Sequence, residues 1–251
     1  MNHFHDVKKK NTQLKAKKGI HMKKEKVIAI VLAAGKGKRM KSDTAKQYMM
    51  LGKYPVIYYS LKQFEQSGVD EIILVVGEGE VEYCRKEIVE KFQIKKVTNI
   101  IEGGKERYES VYYALATIKE GEYVLIHDGA RPMITEEIIA SSIENVKQYR
   151  ACVVGVPVKD TIKFVDKDNY AKETPDRNFI WAVQTPQSFQ LQIIKQAYEN
   201  MMVSEDKSVT DDAMVVERYT KQSIKMIMGS YENIKITTPE DLAIAKCFLI
   251  I

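Results

Sequence analysis

Three short runs in this chain hold residues able to bind phosphate or a divalent cation, and each follows an apolar, strand-like stretch. The first is Leu32-Ala33-Ala34-Gly35-Lys36-Gly37-Lys38-Arg39-Met40. Its glycines let the main chain come close enough for N–H groups to cradle phosphate oxygens. Arg39, and Lys46 in the following Ala45-Lys46-Gln47, add fixed positive charge. Neither familiar phosphate loop is present, because G-x-G-x-x-G fails at Met40 and G-x-x-x-x-G-K-[ST] has no match here. The second run, Gly103-Gly104-Lys105-Glu106-Arg107-Tyr108-Glu109-Ser110, offers free N–H groups and a hydroxyl suited to the base, ribose or phosphates of a nucleotide. A Gly-Gly pair serves equally well as a plain strand-to-helix turn. The third, His127-Asp128-Gly129-Ala130-Arg131-Pro132, presents a carboxylate that could hold Mg²⁺ beside substrate phosphates or cap a loop. His127 is the only histidine outside the basic N-terminal segment and reads as a packed imidazole. No Ser-His-Asp or reactive-cysteine arrangement accompanies these runs, so the chemistry they suggest is charge stabilisation on phosphates.

Short apolar runs alternating with amphipathic stretches must position these residues. Strands are expected at 26–32, 71–76, 96–101, 123–127 and 151–156, with helices near 55–67, 79–91, 106–119 and 135–147. Several strand candidates are apolar throughout, as strands covered on both faces should be. The fold class is therefore α/β, a mostly parallel sheet flanked by helices, and all three polar runs fall on the carboxyl edge where such sheets bind ligands. Residues 157–183 break the rhythm and read as an excursion from the sheet. Helical signals return at 190–201 and 211–218, and Thr238-Pro239-Glu240-Asp241 starts the last helix with a capping threonine, a first-turn proline and two acids.

The chain has 251 residues, 45% hydrophobic and 29% charged, enough to bury one ordinary core. The net charge of +5 is concentrated at the N-terminus, where residues 1–26 carry nine lysines against Asp6 and Glu25, so the body is mildly acidic. That distribution argues against a nucleic-acid partner. Residues 1–25 read as a basic, disordered tail without the apolar core of a secretory signal, and residues 26–251 as one folded domain. Met22 precedes the first strand-like run, and the segment before it reads as a start-site extension with no assigned function. No window has the roughly 18 consecutive apolar residues of a spanning helix, which excludes a membrane-spanning reading. Cys84, Cys152 and Cys247 are far apart and odd in number, consistent with a reducing cytoplasm rather than a disulfide framework.

Taken in order, AAGKGKRM, AKQY, GGKERYESV, HDGARP, PVKDTIK, WAVQTPQSF, TDDA and ENIKITTPEDL resemble the 2-C-methyl-D-erythritol 4-phosphate cytidylyltransferases of the non-mevalonate isoprenoid pathway. The resemblance runs from about Lys26 to the C-terminus. It implies a Rossmann-like nucleotidyltransferase fold, CTP and a sugar-alcohol phosphate as substrates, and Mg²⁺ as cofactor. It also implies a homodimer in which a protruding arm, about 157–183, helps form the partner's site.

Residue by residue, Arg39 and Lys46 match the family's catalytic cations, and Lys235 joins them as a contact to methylerythritol phosphate. Ala33, Ala34, Gly35 and Gly37 match the phosphate loop, and Gly103, Gly104, Arg107 and Ser110 match further nucleotide contacts. Asp128 and Arg131 match positions near the metal and the second substrate, with Asp128 the implied metal ligand. Thr161, Arg177 and Thr210 match contacts to methylerythritol phosphate, the first two from the neighbouring subunit's arm. Two positions depart from the family pattern. Ala45 stands where proline is usual, removing a rigid restraint beside Lys46, and Ala114 replaces a frequent glycine in a helix. Ribitol-5-phosphate cytidylyltransferase shares the nucleotide half. The arm residues Asp160-Thr161-Ile162-Lys163 and Arg177-Asn178-Phe179-Ile180-Trp181 favour the methylerythritol enzyme. A catalytically silent nucleotide-binding protein on the same fold is the alternative of another class, disfavoured by the retention of Arg39, Lys46 and Asp128.

Overall fold

The computed structural model describes residues 25–35, 37, 40, 45–205 and 207–249. The expected tail before Glu25 lies outside the described residues, as does Arg39. Strand β1, Val27–Ala33, is an interior strand of a seven-stranded sheet. Its neighbours β4 (Glu71–Val76) and β6 (Tyr123–Asp128) run parallel to it on opposite sides. Beyond β4 lies β5 (Val97–Glu102), also parallel. Beyond β6 lie β10 (Trp181–Gln190), β7 (Ala151–Pro157) and β11 (Lys225–Met228). Only β10 runs antiparallel within this sheet. Two hairpins stand apart, β2 (Met50–Leu51) with β3 (Tyr54–Pro55), and β8 (Phe164–Val165) with β9 (Ala171–Glu173).

The period-two alternation of a strand divides the apolar residues between two cores. Ala29, Val31 and Ala33 of β1 face one side, with Ile72 and Leu74 of β4. Ile28 and Ile30 face the other, with Ile73 and Val75. The first face is covered by α1 (Val56–Gln66), by α2 (Val81–Cys84), which continues as a π-helix over Arg85–Glu90, and by α4 (Glu136–Tyr149). The second is covered by α3 (Arg107–Thr117), α5 (Leu191–Val203) and α6 (Asp212–Tyr219). Burial on both faces is why β1 is apolar from end to end and β4 from Ile72 onward.

The C-terminal helix α7, Pro239–Phe248, starts as its sequence requires. The Thr238 side chain accepts a hydrogen bond from the Asp241 N–H, the Asp241 carboxylate accepts one from the Thr238 N–H, and Pro239 occupies the first turn. Helix α3 has the same reciprocal cap built from Glu106 and Glu109. Strand β10 is the main departure from the sequence reading, which gave no strand over 181–190. Its Gln184, Thr185, Gln187 and Ser188 are polar yet buried, and it contains the cis Thr185–Pro186 bond, so neither composition nor alternation announces it. The excursion expected at 157–183 leaves the sheet over 158–180, because Pro157 ends β7 and Trp181–Val183 already pair with that strand in β10. Between β7 and β10 the chain leaves the sheet, forms the β8–β9 hairpin and returns through a short turn at Arg177–Phe179.

Candidate active site

The sheet's strand order changes direction at β1, so the loops leaving β1 and β6 diverge and open a crevice at their carboxyl ends. A cleft of about 190 Å³ occupies it. Ala33, Ala34 and Gly35 form one wall, Gly104, Arg107 and Ser110 another, and Lys46, Asp128 and Lys235 converge from three further segments. A more open cavity of about 820 Å³ continues from it past Gly37, Gly77, Gly103 and Glu102. The three polar runs thus meet in one place.

Each wall has a local cause. Gly37 has φ 59°, in the left-handed region that favours glycine, and its carbonyl accepts the Met40 N–H at 2.8 Å to close the turn. At Gly103 a Cβ would stand 2.6 Å from both the Ala34 Cβ and the Ser110 Oγ, so the β5–α3 turn can lie against the phosphate loop only because this residue has no side chain. Ser110, nearly buried in the first turns of α3, accepts the Gly104 N–H at 3.0 Å and fixes that turn. Lys46 starts a short 3₁₀ turn, Lys46–Tyr48, and its Nζ donates to the Ile236 carbonyl at 3.1 Å. This bond joins the cation to the Lys235 segment.

Asp128 is the electrostatic centre. Lys235 Nζ lies 2.8 Å from its Oδ2, Arg107 Nε 3.4 Å from its Oδ1 and Arg131 Nε 3.7 Å from its Oδ2. Burial alone would raise the carboxyl's pKa, but Arg107, Lys235 and Arg131 reverse that and hold it well below the usual carboxylate range. Burial lowers the Arg131 pKa, opposed by Asp128. Arg131 does not line the cleft directly. It stands behind Asp128 with Nη1 donating to the Asn233 carbonyl at 2.8 Å. His127 is fully buried, with Nδ1 3.0 Å from the Thr185 hydroxyl and Nε2 3.3 Å from the Arg131 carbonyl. Burial pushes its pKa down to about 4, so it is a neutral packing residue at pH 7.

No group of three His, Cys, Asp or Glu side chains is arranged to hold a cation among the described residues. A Mg²⁺ ion that brings most of its ligands as phosphate oxygens and water needs only one protein carboxylate. Asp128 lines the cleft and can supply it where bound phosphates take over Lys235, which otherwise pairs with it.

The remaining expected residues are spread out. Thr210 lies in a cavity of about 340 Å³ next to the cleft, with Lys207, and Arg107 lines both spaces. Thr161 and Arg177 are in the arm and do not line the cleft of their own chain, and Arg177 Nη1 donates to the Lys159 carbonyl at 3.1 Å. Sequence reasoning missed Asp212 and Tyr198. The Asp212 carboxylate takes two hydrogen bonds from Arg107, at 2.9 and 2.7 Å, and one from the Tyr198 hydroxyl at 2.6 Å. The run TDDA contains Asp212, but nothing in it says that the side chain turns inward.

Comparison with known proteins gives a consistent result. A family model described as 2-C-methyl-D-erythritol 4-phosphate cytidylyltransferase matches residues 27–250. A protein of that name from Lachnoclostridium phytofermentans is 51% identical over 90% of this chain and 97% of its own. One from Lachnospira eligens is 56% identical over 88% of this chain and 98% of its own. The crystal structure of 4-diphosphocytidyl-2C-methyl-D-erythritol synthase from Anaerococcus prevotii aligns with a TM-score of 0.81 and 34% identity, covering 90% of this chain and 97% of that one.

Proposed function

This chain belongs to the 2-C-methyl-D-erythritol 4-phosphate cytidylyltransferase family and is a nucleotidyltransferase, and from that premise we propose how its cleft performs the transfer. The reaction joins CMP from CTP to 2-C-methyl-D-erythritol 4-phosphate, giving 4-diphosphocytidyl-2-C-methyl-D-erythritol and pyrophosphate, a step of the non-mevalonate isoprenoid pathway. A phosphate oxygen of methylerythritol phosphate attacks the α-phosphorus of CTP in line. As that P–O bond forms, the bond to the bridging oxygen of the β-phosphate breaks and its electron pair leaves with pyrophosphate.

Both reactants are anions and the nucleophile is already ionised, so no strong base is needed. The chain's task is to offset repulsion, align the attack and stabilise the charge that builds up on the phosphates. The observation that carries the reading is the convergence of the small-residue loop, Lys46, Ser110, Asp128 and Lys235 on one cleft. Gly35 and Gly37 bring main-chain N–H groups to the triphosphate, while Arg39 and Lys46 stabilise the transition state. Lys235 holds the incoming phosphate, Arg131 supports Asp128 from behind the cleft, and Thr210 stands at the edge of the adjoining cavity. Asp128 would hold a Mg²⁺ ion arriving with CTP, which would supply positive charge to the phosphate oxygens.

A homodimer completes the site, Thr161 and Arg177 of each arm serving the partner. The arm's apolar side chains support this, since Tyr170 and Phe179 are 72% and 82% exposed in the single chain. Free cysteines and small anionic substrates favour the cytoplasm, and no helix among the described residues is long and apolar enough to cross a membrane. Incubation with CTP, Mg²⁺ and either methylerythritol phosphate or ribitol phosphate, followed by pyrophosphate release, tests the assignment. Turnover with methylerythritol phosphate is expected. Turnover with ribitol phosphate alone would reassign the second substrate, and none with either would leave a nucleotide-binding protein.

A further inference from the structure

Asp212 is the first residue of α6, a position usually open to solvent, yet its side chain is wholly inaccessible. Arg107 supplies a bidentate pair to it, Nη1 to Oδ1 at 2.9 Å and Nη2 to Oδ2 at 2.7 Å. The Tyr198 hydroxyl, from the buried face of α5, donates to Oδ1 at 2.6 Å. Burial and the neighbouring carboxylate raise the Tyr198 pKa well above its ordinary value, so the hydroxyl keeps the proton it donates. Burial works against the charge on Arg107, but Asp212 and Asp128 more than offset this and raise its pKa.

A buried ion pair of this kind is weak support for stability, because apolar residues of similar volume often do as well. Its geometric effect is larger. A bidentate carboxylate fixes the guanidinium plane, and Tyr198 fixes the carboxylate. The guanidinium so held aims Nε at Asp128 and forms the partition between the nucleotide cleft and the Thr210 cavity. Without Asp212, Arg107 would have Asp128 as its remaining carboxylate partner and would compete with Lys235 for it.

We infer that Asp212, braced by Tyr198, is a positioning residue that holds Arg107 at the boundary between the two substrates and keeps it from collapsing onto Asp128. The inference rests on the cytidylyltransferase reading of the cleft. Its test is a double-mutant cycle on the full-length enzyme, with turnover expressed per folded molecule. Asp212→Asn, nearly isosteric, is expected to lower kcat by about tenfold or more, as a misplaced group does. In an Arg107→Gln background the same change is expected to have no further effect, because the clamp then has nothing to hold. Tyr198→Phe keeps the ring and removes one hydrogen bond. It repeats the cycle with a smaller loss if Asp212→Asn does not fold. Equal losses in both backgrounds would reduce Asp212 to a structural role and overturn the inference, as would unchanged kcat in folded single variants. Failure of the cytidylyltransferase reading shows separately, as a wild-type enzyme that releases no pyrophosphate.

Discussion

Lys46 and Asp128 mark the two charge environments that matter at the level of single residues. Lys46 donates to the Ile236 carbonyl, a neutral partner, and lines the cleft proposed for the triphosphate. Lys46→Ala is expected to reduce kcat by about 10²-fold, the usual loss for one preorganised electrostatic donor, and near-normal turnover in a folded variant would remove it from the mechanism. Asp128 has its pKa held below 3.8, so it stays ionised throughout the neutral range and the stability it contributes is lost only in strong acid. His127 acts at milder pH. Its folded pKa of about 4 lies below the ordinary 6.5, so the unfolded chain binds the extra proton first and stability falls as pH drops from about 6.5 towards 4. Between pH 7 and pH 5 the loss from this group is roughly 2 kcal/mol. Urea unfolding at the two pH values measures it, and His127→Gln is expected to remove most of the difference. The buried imidazole was legible because a lone histidine at the end of an apolar strand seldom has a free face. The Arg107–Asp212 pair was not, since 105 residues separate its members and only the packing of α3 against α5 and α6 brings them together.

Among the elements, the turn that carries Lys46 shows how one restraint can stand in for another. Ala45 occupies a position where the resemblance expects proline, yet its φ of −59° and ψ of 137° are close to what a proline ring imposes. The turn is held from its other end. The Tyr48 hydroxyl donates to Glu80 Oε2 at 2.7 Å and lies 3.0 Å from Cys84 Sγ, and Glu80 Oε2 also accepts the Gly77 N–H. The cation loop is thereby tied to the loop after β4, on the wall of the larger cavity. Ala45→Pro is therefore expected to be accommodated and to stabilise the protein by about 0.5 kcal/mol through the unfolded chain, read as a rise in Tm with kcat kept. A fall in Tm would show that the loop needs the Ala45 N–H. Strands β1, β4, β5, β6 and β7 lie within a residue of their expected bounds, and all but the edge strand β5 are largely buried apolar runs. Strand β10 was missed. Its buried polar side chains find their partners on distant elements, Thr185 on His127, and Gln187 on Asp211 and the Ala213 N–H, and no local pattern records that.

At the scale of the whole molecule, the excursion between β7 and β10 leaves apolar side chains such as Tyr170 and Phe179 exposed in the single chain. If each arm completes the partner's cleft, an Arg177→Ala chain and a Lys46→Ala chain are each inactive, yet their mixed dimer has one intact site. Mixing the two after dissociation is expected to restore about a quarter of wild-type activity, the fraction set by random pairing in a twofold dimer. Absence of any restoration, with mixed dimers verified by mass, would return the arm to its own chain's site.

Sequence alone determined the layered α/β architecture, since apolar runs covered on both faces and capped amphipathic helices are local signals that carry their own physical cause. It also located the three polar runs on one sheet edge, because each follows a strand and loops that follow parallel strands all leave from the carboxyl edge. Tertiary structure decided the electrostatics: which cations surround Asp128, that His127 is neutral, and that a buried carboxylate on α6 sets the plane of Arg107. Charges act through distance and solvent exclusion, and neither is written in the spacing of residues along the chain.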